Sequence, residues 1–370
     1  MHRVTAFFIL GARPQFIKSA PLIREILSTE SSISLTIVHS GQHYDPEMSE
    51  VFFSQLKLPH PKLNLRIGSG SHASQIAALL LPLEQLMIRM RPDVVIVPGD
   101  TNTTLGAALA AAKCSGVRVA HLEAGLRSGD ISMPEEVNRI LTDHCSSLLF
   151  APTRTSVSNL AAEGLAKYTR LTGDTMVDAL RLTLPAVARK EKTVLRSLEL
   201  DDRSYLMVTL HRPSNVDDPV KLFRIMRNLE KIGKKITVLF PVHPRTQLRL
   251  KSLHFGKSSK QVRLINPQGY VEALALLKHA RCLLTDSGGM QKEAFQLSVP
   301  CVTLRNTTEW PETLVGNSNR LANIKTMLPL IAQAASSDIR TKHHSNVFGD
   351  GRAARKIRII LENELQATLR

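Results

Sequence analysis

The stretch CLLTDSGGMQKEAFQL, residues 282–297, joins an apolar run to an acid, a hydroxyl, two glycines and the start of an amphipathic segment. This pattern predicts a buried strand that turns directly into a helix. The first backbone amides of a helix lack partners within it, and the helix dipole is positive there. The corner Asp286-Ser287-Gly288-Gly289 therefore predicts an anion site, and phosphate is its usual guest. The alternative is a plain strand–turn–helix joint in which the glycines serve tight packing.

Short apolar runs alternate with helical patterns along the rest of the chain. Most of these runs are continuously apolar, which is typical of parallel strands covered on both faces. The alternation predicts an α/β fold with two Rossmann-like, doubly wound sheets. The predicted strands, five in each half, are 4–10, 34–40, 93–98, 117–122 and 147–151, then 205–210, 236–242, 262–266, 282–285 and 301–304.

The alternation pauses over residues 174–203, which are amphipathic, charged and without a strand pattern. We place a domain boundary there, because a chain of 370 residues fits two domains at about 100–200 residues each. The predicted domains are residues 1–173 and 174–350. Two such domains facing each other across a central cleft would bring the carboxyl ends of both sheets to one ligand.

Composition limits the classes of function. The chain is 43% apolar, carries a formal net charge of +16 and has only four Tyr and one Trp for base stacking. Its basic residues are scattered, so we expect a polyanionic small molecule rather than nucleic acid as partner. The four cysteines are far apart and include no CxxC pair, so we expect neither a metal site nor a disulfide framework. No apolar run approaches the roughly 18 residues of a membrane span, so we expect a cytoplasmic protein without a membrane partner.

Charged side chains follow the predicted strands of the first half. Arg13 and Lys18 come after the first strand, where cations beside a helix start suit an oxyanion; solvated loop charges are the alternative. Asp100 and Glu123 each end a later strand, and Glu135 lies at the start of a helix. Carboxylates that meet at one edge of a sheet would raise one another's pKa values and supply proton donors and acceptors near neutrality.

Glu135 also has a simpler interpretation. Glu135 and Arg139 are four residues apart, on the same face of the predicted helix, which fits an ordinary helix ion pair. Acidic residues at a helix start are favoured by the dipole in any case.

The second half places further polar side chains after its strands. His211 follows a strand directly and is a candidate for acid–base work, although a lone histidine is more often structural. Tyr270 is available to stack on a base. Glu293, one turn into the helix after Gly289, can hold two ribose hydroxyls while the amides hold phosphates. We therefore expect the second domain to bind a nucleotide and the first to carry acid–base groups.

Ten motifs together resemble the non-hydrolysing UDP-N-acetylglucosamine 2-epimerases, in the same order from residue 3 to about 355. The resemblance implies a two-domain fold of the glycosyltransferase-B type, with the C-terminal helix 351–370 crossing back onto the first domain. It also implies a UDP-sugar substrate and a homodimer. The motifs are GARPQFIKSAPL, GQHYDPEM, PGDTNTTL, HLEAGLRSGD, MPEEVNRILTDH, GDTMVDAL, TLHRPSNVDD, PVHPRT, DSGGMQKEA and TTEWPE.

The resemblance implies a chemistry that uses no redox cofactor. A proton leaves C2 as UDP leaves C1 by anti elimination, and UDP then returns while a proton is delivered to the opposite face of C2. Asp100, Glu123 and Glu135 match acid–base and sugar-contact positions, and His211 matches a catalytic-site histidine. The positions that match UDP contacts are Arg13, Lys18, Arg139, Ser287, Gly288, Gly289 and Glu293.

Two motifs depart from the usual family pattern. The first motif usually reads G-T-R-P-E, but here it is Gly11-Ala12-Arg13-Pro14-Gln15, and the usual T-E-R-P-E is Thr308-Glu309-Trp310-Pro311-Glu312. Both variants resemble the branch that epimerises UDP-2,3-diacetamido-2,3-dideoxy-glucuronic acid at C2. The expected substrate is UDP-N-acetylglucosamine, for polysaccharide precursor synthesis. The diacetamido uronate is the alternative, and a glycosyltransferase of the same fold is a further one.

Overall fold

The computed structural model of the protein describes residues 3–28, 30–41, 58–242, 244–255, 261–336 and 346–368. Within these ranges, the side chains of Arg13, Pro244, Arg245 and Thr368 are not described. Most of the motif GQHYDPEM and the side chain of Arg13 therefore lie outside the described part of the chain.

The first sheet is entirely parallel, with strand order β3-β2-β1-β4-β5-β6-β7. The chain runs outward from β1 to one side and then returns to β4 on the other. The order thus reverses between β1 and β4, which is where doubly wound sheets open a ligand crevice. The strands are β1 Val4–Leu10, β2 Ile33–His39, β3 Leu63–Asn64, β4 Val94–Pro98, β5 Arg118–Leu122, β6 Leu148–Ala151 and β7 Thr169–Leu171.

The second sheet repeats this plan with order β10-β9-β8-β11-β12-β13, again parallel throughout. Its reversal point lies between β8 and β11. The turn Asp286-Ser287-Gly288-Gly289, which follows β11, therefore lies at that point. The strands are β8 Tyr205–Thr209, β9 Thr237–Pro241, β10 Val262–Ile265, β11 Cys282–Thr285, β12 Cys301–Thr303 and β13 Asn319–Leu321. The prediction of an α/β fold with two parallel sheets is confirmed.

The predicted count of five strands in each half is wrong, because the described residues form sheets of seven and six strands. The additional strands are β3, β7 and β13, which all lie at sheet edges. Each has only two or three residues, with sequences LN, TRL and NRL. Edge strands this short bury little apolar side chain, so they leave no apolar run in the sequence.

Helices connect the strands and cover both sheets. Several begin at residues whose side chains accept from the first turn, such as Ser71, Thr101 and Asp218, as N-caps do. The helices are α1 Arg13–Ile26, α2 His72–Met90, α3 Asn102–Lys113, α4 Pro134–Cys145, α5 Arg154–Ala162, α6 Thr175–Ser197, α7 Pro213–Val216, α8 Pro219–Gly233, α9 Pro244–Ser252, α10 Tyr270–Lys278, α11 Gly288–Gln296, α12 Met327–Ser336 and α13 Ala353–Thr368. None of the helices described combines the length and apolar character needed to cross a membrane.

Contacts divide the chain into two compact units. The first comprises Met1–Leu182 with Ser345–Arg370, and the second comprises Thr183–His344. Helix α6 occupies most of the strand-free stretch recognised in the sequence. Within the first unit, α13 buries Ile357, Leu361 and Leu365 and packs against α1. Its Glu362 accepts a hydrogen bond from the Ser32 amide at 2.8 Å.

Candidate active site

Two carboxylates of the first unit lie at the carboxyl ends of neighbouring strands. Asp100 follows β4 after Gly99, and Glu123 follows β5 directly. Glu123 is buried and has a φ of 65°. A left-handed conformation at a residue with a side chain costs about 1–3 kcal/mol and is often found at functional sites. The surrounding contacts must therefore hold Glu123 in place.

Each of these carboxylates is paired with a cation. The Lys18 ammonium group forms an ion pair with Glu123. The Arg139 guanidinium donates to Asp100 from Nη2 at 2.6 Å and from Nε at 3.1 Å. Lys18 and Arg139, the cations that the resemblance implies for UDP, thus lie directly on the two candidate acid–base groups.

The start of α4 separates two adjacent glutamates into different environments. Glu136 is buried, accepts from the Ser128 and Gly129 amides at 2.9 Å, and pairs with Arg139 at 2.7 Å. Burial acts to raise the pKa of Glu136, but these bonds outweigh it and hold the pKa below its ordinary value. The alternative interpretation of Glu135, an ion pair with Arg139, is wrong, because the Arg139 guanidinium pairs with Glu136 and Asp100 instead. Glu135 is half-buried, and its carboxylate has no hydrogen bond or ion pair to any residue that the structure describes.

Replacing Glu135 and Glu136 one at a time should show which of the two stabilises the fold. In Glu136→Gln an amide would face the Ser128 and Gly129 donors, so we expect the free energy of unfolding to fall by about 2–3 kcal/mol. Glu135→Gln should change it by less than about 0.5 kcal/mol, because no such contact is lost. Urea unfolding followed by circular dichroism measures both. Equal losses in the two variants would contradict the distinction.

Gln15 joins the two strands at the reversal point of the first sheet. Its side-chain oxygen accepts from the Gly11 and Ala12 amides at 2.8 and 3.0 Å, and its nitrogen donates to the Pro98 carbonyl at 2.9 Å. An ionised glutamate could accept the first two bonds but could not donate the third. These three hydrogen bonds therefore explain why this chain has glutamine at position 15 instead of the usual glutamate.

A buried histidine–aspartate pair lies beneath the two carboxylates and was missed in the sequence. The two ring nitrogens of His121 lie 2.7 Å from Asp143 and 2.8 Å from the Gly99 carbonyl. Asp143 also accepts from the Gly125 amide at 3.0 Å and pairs with Arg127 at 2.8 Å. The sequence signal was the histidine inside the strand run VRVAHL, where Arg118 is the one other polar residue.

The second unit places a fully buried carboxylate, Asp286, at its reversal point. Asp286 accepts from the amides of His211 and Arg212 at 3.1 and 3.0 Å and from the Asn215 side chain at 3.0 Å. Burial acts to raise the pKa of Asp286. The hydrogen bonds outweigh burial, with the bond from the His211 side chain contributing most, and they hold the pKa below its ordinary value. The His211 ring lies 3.1 Å from Asp286, yet its side chain is 57% exposed. Asp286 thus anchors the corner after β8 and leaves the imidazole open on one side.

The two glycines at the start of α11 have different roles. Ser287 makes no capping hydrogen bond from its side chain, so the first amides of the helix are left for another acceptor. A Cβ at Gly288 would overlap the carboxylate of Glu309, whereas a Cβ at Gly289 would have only the Ser287 hydroxyl nearby, at 3.9 Å. Gly288 therefore serves close packing, and Gly289 keeps the approach to the amides open.

Three other side chains of this unit are buried. Tyr270 begins α10, and Glu293 lies within α11. Trp310, which replaces the arginine usual in the family motif, packs under the Lys292 ammonium, 3.7 Å from the ring centroid. A cation over an aromatic face is an attractive arrangement, so this substitution is accommodated by Lys292.

Known proteins match this chain over almost its whole length. A family model described as UDP-N-acetylglucosamine 2-epimerase matches residues 25–362. The UDP-N-acetylglucosamine 2-epimerase of Methanocaldococcus jannaschii is 43% identical over 361 residues, covering 95% of this chain and 97% of that protein. The UDP-2,3-diacetamido-2,3-dideoxy-D-glucuronate 2-epimerase of Pseudomonas aeruginosa is 39% identical over 354 residues, covering 94% and 97%.

Solved structures agree with the fold. The crystal structure of the Methanocaldococcus jannaschii UDP-GlcNAc 2-epimerase in complex with UDP-GlcNAc and UDP matches with a TM-score of 0.90 at 41% identity, covering 97% of this chain and 100% of that chain. The glycosyltransferase SnogD from Streptomyces nogalater matches with a TM-score of 0.52 at 13% identity, covering 98% and 95%. The second likeness shows the fold alone. The predicted glycosyltransferase-B type of α/β fold is confirmed.

Proposed function

Because the chain belongs to the UDP-N-acetylglucosamine 2-epimerase family, we propose that it interconverts UDP-N-acetylglucosamine and UDP-N-acetylmannosamine without hydrolysis. The observation that carries this proposal is the pair of carboxylates, Asp100 and Glu123, at the ends of adjacent strands. Such groups are suited to move a proton at the carbon next to a departing diphosphate. The open helix start at Gly289 is suited to hold that diphosphate.

The proposed reaction is balanced without an oxidant or reductant. A carboxylate takes the C2 proton, the electrons of the C–H bond form a C1–C2 double bond, and the C1–O bond to UDP breaks. The intermediates are 2-acetamidoglucal and UDP. A UDP oxygen then bonds to C1 again while C2 receives a proton on its opposite face.

The proton transfers are assigned to three carboxylates of the first unit, Asp100, Glu123 and Glu135, and His211 of the second unit is a further candidate for acid–base work. Glu135 suits this work because it has no structural partner among the described residues. Lys18 and Arg139 are proposed to exchange part of their present ion pairs for the diphosphate. Such cations stabilise charge that develops on a leaving group. The remaining proposed UDP contacts are Arg13, Tyr270, Ser287, Gly288, Gly289 and Glu293.

A second candidate substrate is UDP-2,3-diacetamido-2,3-dideoxy-glucuronate. It is favoured by the departures at Gln15 and Trp310 and by the similar identities to the two curated relatives, 43% and 39%. For either substrate we also propose a homodimer that supplies precursors for cell-surface polysaccharides, as the family resemblance implies. Light scattering after size exclusion tests the dimer.

A substrate panel in deuterated water tests the function. Each UDP-sugar is incubated with the protein and no acceptor, and NMR follows the C2 configuration and its hydrogen. We expect inversion with deuterium at C2, because a proton on an acid–base carboxylate exchanges with solvent. Inversion with fully retained protium would contradict elimination and re-addition. Turnover that requires an added acceptor would favour a glycosyltransferase.

A further inference from the structure

We infer that His121 is a positioning residue that fixes the backbone corners carrying Asp100 and Glu123, and that it does so by donating hydrogen bonds from both ring nitrogens. This inference rests on the proposed function for its kinetic consequence. Its structural part, the double donation, is independent of the reaction.

The ring of His121 spans two corners of the first sheet. His121 lies inside β5, fully buried. One nitrogen meets the Gly99 carbonyl, which belongs to the residue directly before Asp100. The other meets Asp143, whose second oxygen accepts from the Gly125 amide, two residues after Glu123. One ring thus connects the segments that carry both carboxylates.

Both partners of the ring are acceptors. A carbonyl oxygen cannot donate, and a neutral imidazole has only one N–H. The Asp143 oxygens also face the Arg127 guanidinium and the Gly125 amide, which are donors. Burial acts to raise the pKa of Asp143, but His121 and Arg127 outweigh it and hold the pKa below its ordinary value. Asp143 is therefore an ionised acceptor, and His121 satisfies both contacts only as the imidazolium.

The charges around Asp143 favour the same protonation state. Asp143 is fully buried and meets Arg127 at 2.8 Å and the His121 ring at 2.7 Å. Arg127 also pairs with Glu163, which accepts two of its N–H groups at 2.8 and 2.7 Å. Glu163 lies nearer the surface, with a side chain that is 28% exposed, and the His144 ring lies 3.2 Å from it. A cationic donor strengthens a hydrogen bond to a buried carboxylate, so Asp143 favours the protonated ring.

The corners need this external support. Gly99, Glu123 and Gly125 all have positive φ values, of 71°, 65° and 79°. For Glu123 that conformation is intrinsically unfavourable, so the loop would relax if its hydrogen bonds were lost. A misplacement of about 1 Å can cost 10²-fold in rate. The start of α11 belongs to the other unit and shares no residue with this network. UDP affinity should therefore fall less than kcat, although Lys18 and Arg139 pair with the displaced carboxylates.

Two uncharged variants separate the two contacts. The amide of Gln can take the place of the far ring nitrogen and still donate to Gly99, whereas Asn is too short to reach it. We expect His121→Asn to lower kcat by about 10²-fold and His121→Gln by about tenfold or less. KM and the calorimetric affinity for UDP should change by less than kcat does in both variants. Equal kcat losses in the two variants, or parallel losses of kcat and UDP affinity, would overturn the positioning role.

A spectroscopic measurement on the wild-type protein tests the double donation without relying on any variant's activity. In protein labelled with 15N-histidine, His121 is identified by the signal that is lost in His121→Gln. At neutral pH we expect a directly bonded proton on each of its ring nitrogens. A single N–H would overturn the inference. Protein that shows both protons but epimerises neither UDP-sugar would contradict the proposed function and leave the double donation standing.

Discussion

Asp100→Asn and Glu123→Gln should each lower kcat by about 10²–10⁴-fold, the usual contribution of a positioned acid–base group, while the protein stays folded. The amide cannot take the C2 proton, and it weakens the ion pair that orients the group. Arg139 keeps its bond to Glu136 when Asp100 is neutralised, so its buried guanidinium retains a partner. Steady-state epimerisation and thermal unfolding measured together check this result.

The matched control is Asp93→Asn. Asp93 precedes the same strand β4 at its opposite end and accepts from the Thr5 amide at 2.7 Å, a bond that asparagine can also accept. We expect turnover near that of wild type. A comparable loss in Asp93→Asn, or near-normal turnover in both Asp100→Asn and Glu123→Gln, would contradict the assignment of the carboxylates.

Gly289→Val should weaken UDP binding by about 10–100-fold, as expected for losing hydrogen bonds to a charged group worth about 1.5–3 kcal/mol. Helical Cβ atoms tilt toward the N-terminus, so the new side chain flanks the first amides of α11. The structure has room for it, because only the Ser287 hydroxyl lies nearby. Isothermal titration calorimetry measures the affinity, and urea unfolding should show little loss of stability.

Two controls sharpen this measurement. Uridine lacks the diphosphate, so any affinity for uridine should survive in Gly289→Val. Gly288→Ala should instead destabilise the fold, because its methyl group overlaps Glu309, which is buried and paired with Arg305 at 2.7 Å. Normal UDP affinity in a well-folded Gly289→Val would mean that the start of α11 is only a tight turn.

Much of the fold could be predicted, because long buried strands such as β1 and β4 leave continuous apolar runs. The family, and with it an isomerase, is also confirmed. The site was less accessible. Topology predicts that side chains after adjacent strands meet, but not which atoms pair. Arg139 pairs with Glu136 and not with Glu135 because the Ser128 amide holds the Glu136 carboxylate in place. The local sequence does not show where that amide lies.

The helix α13 belongs to the first unit but is the last helix to be synthesised. Because α13 covers α1 but follows the whole second unit in the chain, the first unit cannot complete its core when its own strands leave the ribosome. The surface that later receives Ile357, Leu361 and Leu365 remains uncovered until the second unit has been translated. Transiently exposed apolar surface of this kind favours aggregation and chaperone binding. The nascent first unit is therefore expected to need protection until α13 has been made.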